Sequence, residues 1–423
     1  MAEKRASAAY TIPQGTLQSI KNKMLNWIRP FSIFAYLDNN GYCHKPCRFE
    51  LLAAAAPLSL CSDIDAGEGD WLFGHLAYDY KNKVEPRLQS RHPFLSGFKE
   101  QLFFRPAIVV SVASGSDRLE VSTVGLSADQ VLQEILDTAD IDGEHHPRQV
   151  SWQPVFTQAE YLECIEAIRS HIEEGDCYEL NFCTGASALV PGLDPAAAFH
   201  RLNRLNPSPF AALYRNDDAW LMCASPERFL FREKDWVVSQ PIKGTARRHA
   251  DPATDAKLKQ ALYLDAKERA ENVMIVDLVR NDLARSCIAG SVEVPELFGL
   301  YSFPQVHQLI STVSGRLMPG ISNGKVIRNA FPMGSMTGAP KVKVMELTER
   351  YERLRRELYS GAVGYVMPSG DFDFNVVIRS LLYNGATARL AYQTGGAITY
   401  ASDPLAEWEE VRLKARAMEQ IFL

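Results

Sequence analysis

The sequence predicts an α+β fold built on large antiparallel sheets, and three observations predict it. Short β-branched and aromatic runs follow one another at residues 218–224, 228–232 and 236–240, with turn residues between them. Asn384-Gly385, a dipeptide of tight hairpins, joins a run at 372–383 to another at 386–393. Helical runs at 255–283, 341–356 and 402–423 stand between groups of strands. In a doubly wound parallel sheet they would alternate with single strands.

The chain has 423 residues, 46% of them hydrophobic, enough for a large core. A further helix is predicted from Gln158 to Glu174, with Tyr161, Ile165, Ile168 and Ile172 as its apolar stripe and Thr157 as its cap. The polar run 140–148, with Gly143 and Pro147, separates residues 1–150 from a catalytic region at 151–423. The first part reads as the N-terminal portion of the same fold rather than an independent domain. The net charge of −6 comes with no basic stripe, which excludes a nucleic-acid partner. No stretch is long and apolar enough to span a bilayer, and no apolar signal core follows Met1-Ala2-Glu3-Lys4-Arg5, so a cytoplasmic protein without membrane association is expected. Of the 8 cysteines, Cys43 and Cys47 lie beside His44, but no second pair follows at zinc-site spacing. They read as ordinary thiols.

Residues able to do chemistry are scattered through this frame. Lys243 lies in Pro241-Ile242-Lys243-Gly244-Thr245, directly after the strand-like run 236–240, where Pro241 and Gly244 mark a turn. A lysine there is either a surface charge or a reactive amine, and burial favours the neutral, nucleophilic form. Glu268 and Glu271 are three apart on one helix face, and Glu407, Glu410 and Lys414 share a face of the last helix, which opens at Ser402-Asp403-Pro404. By spacing alone these are solvated helix faces. As a set they are also hard oxygen ligands of the kind magnesium takes. The glycine turn at 334–340 lacks the P-loop pattern but can offer backbone N–H groups to an anion. Arg379 interrupts an apolar strand, either as a charge on its solvent face or as a carboxylate-binding fork. Gly395-Gly396 permits close backbone approach. His307, in apolar company, reads as structural.

These features occur together in one order, and that order resembles the chorismate-utilising enzymes, which include the anthranilate, aminodeoxychorismate, isochorismate and salicylate synthases. The likeness runs from Glu174-Gly175-Asp176-Cys177-Tyr178 through Ser225-Pro226-Glu227-Arg228-Phe229, the Lys243 segment and Ala270-Glu271-Asn272. It continues through His307, Thr337-Gly338-Ala339-Pro340-Lys341, Gly361-Ala362-Val363-Gly364-Tyr365 and Arg379 to Gly395-Gly396 and Ser402-Asp403-Pro404. The N-terminal part is similar more loosely, at Gly74 to Asp79. The resemblance implies two large antiparallel sheets packed face to face with helices outside. A lysine between Pro-Ile and Gly-Thr looks like the large component of aminodeoxychorismate synthase, whereas anthranilate synthases carry alanine there.

Carried over position by position, the resemblance implies a mechanism. Glu271 and Glu410 would hold Mg²⁺, supported by Glu268 and Glu407. The metal would bind the ring carboxylate of chorismate, with Gly244 and Thr245 close by. Arg379, Tyr359 and the backbone at Gly395 would hold the enolpyruvyl carboxylate, with Thr337, Gly396 and Lys414 also at the substrate. Lys243, neutral, would attack ring C2 while Glu227 protonates the departing C4 hydroxyl. Ammonia would then take C4 and expel the lysine. His307 would lie against the ring.

The chain departs from the family pattern at Glu179, where most aminodeoxychorismate and anthranilate synthases have glutamine and the water-adding enzymes have a lysine base. The element used for tryptophan feedback is not evident at Phe49-Glu50-Leu51-Leu52, which alanines follow. With no glutaminase or lyase region in view, a separate glutamine amidotransferase subunit is expected to supply ammonia, and aminodeoxychorismate to be the product. Anthranilate or isochorismate synthesis, and a non-catalytic chorismate-binding protein, are the competing readings.

Overall fold

The computed structural model describes residues 4–42, 46–67, 69–141, 149–303 and 306–423. Cys43, His44 and most of the polar run at 140–148 lie outside the described residues. Among the described residues twenty strands form one hydrogen-bonded network, and neighbouring strands pair antiparallel.

Two long strands, Phe49–Cys61 and Gln101–Ala113, pair along most of their length and serve both layers. On the other edge of Gln101–Ala113, residues 108–112 pair with Arg118–Thr123 and residues 101–104 with Leu72–Leu76. One layer continues through Ile33–Asp38, Phe210–Asn216, Ala219–Ser225, Ser380–Asn384 and Arg389–Ile398 to Glu179–Leu189. The other continues through Ala362–Val366, Phe372–Asn375, Arg228–Glu233 and Trp236–Gln240 to Val306–Arg316, on which Ile242–Arg247 and Glu293–Ser302 also pair.

Period-two alternation shows how the layers pack. Ile33, Ala35, Leu52, Ala54, Ala212, Tyr214, Ala219 and Leu221 share an inner core with Phe73, Val363 and Tyr365 of the second layer. The intervening Phe34, Tyr36, Leu51, Ala53, Leu213, Trp220 and Met222 face outward, against helices Leu17–Ile28, Ala128–Asp137, Pro195–Leu205 and Pro404–Glu419. Helices Ala266–Ala284 and Asn323–Ala330 cover the outside of the second layer. The expected face-to-face α+β architecture is thus present. Both faces of these strands are buried, so a one-residue slip would exchange the two cores.

Local expectations fare unevenly. Thr157 closes a capping box on helix Gln158–Glu173, as expected. The run 255–283 is two helices, Pro252–Leu264 and Ala266–Ala284, because Asp265 is extended and its side chain caps the second one by accepting from Glu268 N. Helix Lys341–Tyr351 stops short of residue 356. The hairpin at Asn384 has a four-residue loop, with Asn384 opposite Arg389. The segment 372–383 is two strands, and between them Arg379 takes a φ of +51°. Its position in a break between strands removes the reading of a charge on the solvent face of a continuous strand. Lys243 lies in strand Ile242–Arg247, not in a turn. The register slips between Ile242↔Ile310 and Thr245↔Gln308, and Gly244, at φ +93°, absorbs the bulge.

Candidate active site

The bulge aims Lys243 at Glu179, the first residue of strand Glu179–Leu189, with Nζ 2.7 Å from Oε1. The pair is buried, the lysine side chain 12% exposed and the glutamate 1%. Asn272 ties helix Ala266–Ala284 to the same strand: its Nδ2 donates to Lys243 O at 3.4 Å and its Oδ1 accepts from Ser311 Oγ at 2.6 Å. That contact turns the Glu268/Glu271 face toward the bulge. A Cβ at Gly244 would lie 3.2 Å from Glu268 Oε2 and 3.1 Å from Leu309, so both space and φ call for glycine.

The last helix closes the other side. Glu407 accepts from Ser402 Oγ at 2.7 Å, and its Oε2 lies 3.1 Å from where a Cβ on Gly396 would stand. Glu410 pairs with Lys414 at 2.7 Å, and Lys414 Nζ donates to Gly395 O at 2.8 Å. Tyr359 is buried beside Cys183, and a Cβ on Gly395 would lie 2.9 Å from that sulfur. Burial pushes the Tyr359 hydroxyl well up, so it stays a neutral donor. Thr245 Oγ1 accepts from Gln308 Nε2 at 3.4 Å.

Electrostatics distinguishes the carboxylates. Burial pushes Glu271 up to about 7, and its Oε1 is buried without a hydrogen-bond partner. Glu268 and Glu407 are raised, by burial first and then by the charge of Glu410. Glu410 itself is held below its ordinary value by Lys414. Two helices therefore bring four carboxylates into one another's field, with Glu271 Oε1 lacking a hydrogen bond and only the Lys267 ammonium, 3.8 Å away, beside it. Hard oxygen donors in that state fit magnesium. Among the described residues the group His171, Glu174 and Asp176 also has metal-ligand geometry, but His171 is bonded to Asp176 and Tyr351, and Asp176 to Lys343.

Lys243 corrects one expectation. Burial alone would favour the neutral amine, but Glu179, Glu271 and Glu410 outweigh it and raise the lysine above its ordinary value. The amine is thus held in an ion pair with Glu179, 2.7 Å away.

Glu227 lies across the bulge, and Oε1 accepts from Ser335 Oγ at 2.6 Å. Burial pushes it up to about 7 against the opposing pull of Ser335, Lys243 and Arg379. A carboxyl that keeps its proton near neutrality is a general acid. Arg379 is desolvated, which lowers its value, with Glu227 as the opposing charge. Among the described residues only the charge of Glu227 opposes that desolvation and no hydrogen bond does, so its fork is available to an anionic ligand.

Two expected residues are engaged elsewhere. Thr337 is fully buried, and its hydroxyl donates to Met333 O at 2.9 Å, so it shapes the turn that carries Ser335. His307 bonds Ser302 Oγ through Nδ1 at 2.9 Å and Asp255 Oδ1 through Nε2 at 3.1 Å. Both ring nitrogens are thereby engaged, and no hydrogen bond or ion pair among the described residues joins it to Lys243 or Glu227. Ser335 escapes a reading of the sequence, and Asn272 enters it only within Ala270-Glu271-Asn272, without its tie to Lys243 O and Ser311. Ser335 meets Glu227 across 108 residues of chain, and nothing local announces it.

Residues 39–420 match the model of the chorismate binding enzyme family. The chain belongs to this family. Aminodeoxychorismate synthase of Streptomyces pristinaespiralis is 45% identical over 258 residues, 60% of this chain and 35% of that protein. Aminodeoxychorismate synthase component 1 of Salmonella typhimurium is 41% identical over 260 residues, 62% of this chain and 57% of that one. The matches thus take in between about a third and somewhat over half the length of these curated relatives. The solved anthranilate synthase component I of Streptococcus pneumoniae superposes with a TM-score of 0.75 at 24% identity, covering 99% of this chain and 92% of that one. The menaquinone-specific isochorismate synthase of Escherichia coli gives 0.77 at 16% identity, covering 100% and 95%. At those identities the likeness is one of fold.

Proposed function

We propose that this chorismate-binding enzyme aminates chorismate at C4, as the large component of a cytoplasmic aminodeoxychorismate synthase in para-aminobenzoate and folate biosynthesis. A glutamine amidotransferase subunit supplies the ammonia. The observation that carries the reading is Lys243, 2.7 Å from a buried carboxylate and facing an acid, Glu227, pushed up to about 7. A hydroxyl is a poor leaving group, so displacing it at C4 needs an acid, and a covalent lysine divides one hard displacement into two easier ones. Arg379 and the neutral Tyr359 hydroxyl orient the enolpyruvyl carboxylate. Glu271 and Glu410, with Glu268 and Glu407, would hold Mg²⁺. When bound, the metal supplies positive charge for the ring carboxylate. Among the described residues no helix is long and apolar enough to cross a membrane.

The test is to incubate the protein with chorismate, Mg²⁺ and ammonium and identify the product. Aminodeoxychorismate is expected, with turnover lost on chelation and restored by Mg²⁺. Anthranilate, isochorismate, salicylate or an absence of turnover would each overturn the proposal. Glu227→Gln keeps the shape of the acid without its proton, and turnover should fall by about 10²- to 10⁴-fold while chorismate still binds. Equal rates in variant and wild type would remove Glu227 from the chemistry.

A further inference from the structure

We propose that Glu179 is a catalytic residue that takes the proton from Lys243 as the amine attacks and returns it when the amine leaves. The inference rests on the amination reading above. Glu179 Oε1 is the protein acceptor at Nζ, at 2.7 Å, and the glutamate side chain is 1% exposed. Its other oxygen, Oε2, is buried with no hydrogen-bond partner. The carboxylate is also fixed in place. Its residue pairs with Ala339, and a Cβ on Gly338 would lie 2.0 Å from Glu179 O, so the glycine turn clamps the strand. Lys243 rests paired with Glu179, and an amine that carries a third proton cannot attack. Its proton must go to an acceptor in reach, and Glu179 is in reach.

The step balances. A proton passes from Nζ to Glu179, the Nζ–C2 bond forms, both ring double bonds shift and C4–O breaks, and Glu227 gives its proton to the departing hydroxyl, which leaves as water. Ammonia then forms the C4–N bond and Nζ–C2 breaks. Lys243 leaves as a neutral amine and recovers its proton from Glu179. The new ammonium gives a proton to Glu227, and every side chain is restored.

The two routes for the lysine proton differ in pH dependence. The charges facing the pair are Glu268, Glu271 and Glu410 on the two helices and Glu227 across the bulge, with Lys267 and Arg379 behind them. If Glu179 keeps the proton, the reactive state has the same proton count as the resting state with Glu227 protonated. Turnover then falls as pH rises through about 7, where Glu227 titrates. If the proton is lost to solvent, the reactive state has one proton fewer, and turnover instead rises through that pH.

The experiment is the pH–rate profile of ammonia-dependent turnover, with total ammonium adjusted at each pH to hold free ammonia constant and saturating, for wild type, Glu179→Gln and Glu179→Asp. Wild type is expected to fall above about 7 and to show no acid limb near it. Glu179→Gln removes both the acceptor and the paired anion, so its lysine loses its proton to solvent and a new acid limb appears. Glu179→Asp keeps the wild-type shape at a lower rate. A wild-type rate that rises through that pH overturns the proposal, and so does a Glu179→Gln profile without an acid limb. Competitive acetylation of Lys243, read by peptide mass spectrometry, needs no turnover. Lys243 should label at lower pH in Glu179→Gln than in wild type, and identical labelling curves also overturn the proposal. If no aminodeoxychorismate forms at all, the amination reading fails, while the labelling still reports whether Glu179 controls the lysine proton.

Discussion

Lys243→Ala is expected to stop amination and weaken the fold together. On the chemical side, removing a covalent nucleophile should lower turnover by about 10³-fold or more. Wild-type protein mixed with chorismate in the absence of ammonium should gain the mass of the dehydrated substrate at Lys243, and the variant should not. On the structural side, alanine leaves Glu179 buried with both oxygens unpartnered, where only Oε2 lacks a partner now. Stranding a buried charge in this way costs about 3–5 kcal/mol. The two effects separate in the double variant Lys243→Met/Glu179→Leu, which replaces the pair with apolar groups of similar volume. Denaturant unfolding should show stability largely restored, while activity stays absent. A single variant that turns over at the wild-type rate would remove the lysine from the reaction, however well the rest of the site agreed.

How legible these groups were in the sequence depended on the range of the contacts that define them. Helix Gln158–Glu173 was readable because its cap and stripe are local, within four residues of one another. The break at Asp265 was not, because capping residues also occur inside helical runs and only the extended backbone decides. Gly244 was visible as a punctuating glycine. That it absorbs a bulge instead of making a turn depends on its partner strand, Val306–Arg316, some sixty residues on. The carboxylate pairs were visible as spacings on two helices, but their convergence depends on strand pairings that bring Gly395-Gly396 against Cys183 and Phe182. The charge state of Lys243 was the least legible of all. Burial and ion pairing act on it in opposite directions, and the winner is set by Glu179, a residue in which this chain departs from the family pattern.

Arg356→Met is expected to be among the most destabilising single changes in the chain, because one guanidinium joins the two halves of the site. The side chain is 1% exposed. It binds Glu352 through Nε at 3.0 Å and Nη2 at 2.6 Å, Met336 O at 2.6 Å and Asn181 O at 2.7 Å. Asn181 lies two residues beyond Glu179, and Met336 follows Ser335. The arginine thus fixes the strand carrying Glu179 relative to the turn that holds Glu227. Glu352 Oε1 in turn accepts from Cys183 N at 3.0 Å. Methionine fills much of the space but leaves Glu352 as an uncompensated buried charge and two carbonyls without their donor, a loss of about 3–5 kcal/mol. The exposed pair Arg316–Asp235 is the control, and Arg316→Met should unfold near the wild-type midpoint. Arg356→Met/Glu352→Gln removes the stranded charge and should recover part of the loss. In the folded fraction of Arg356→Met, turnover should fall more than chorismate affinity, since the contacts it loosens position the acid and the lysine's partner rather than the carboxylate fork at Arg379. Unfolding midpoints that coincide for Arg356→Met and Arg316→Met would show that the buried arginine does not couple the two elements.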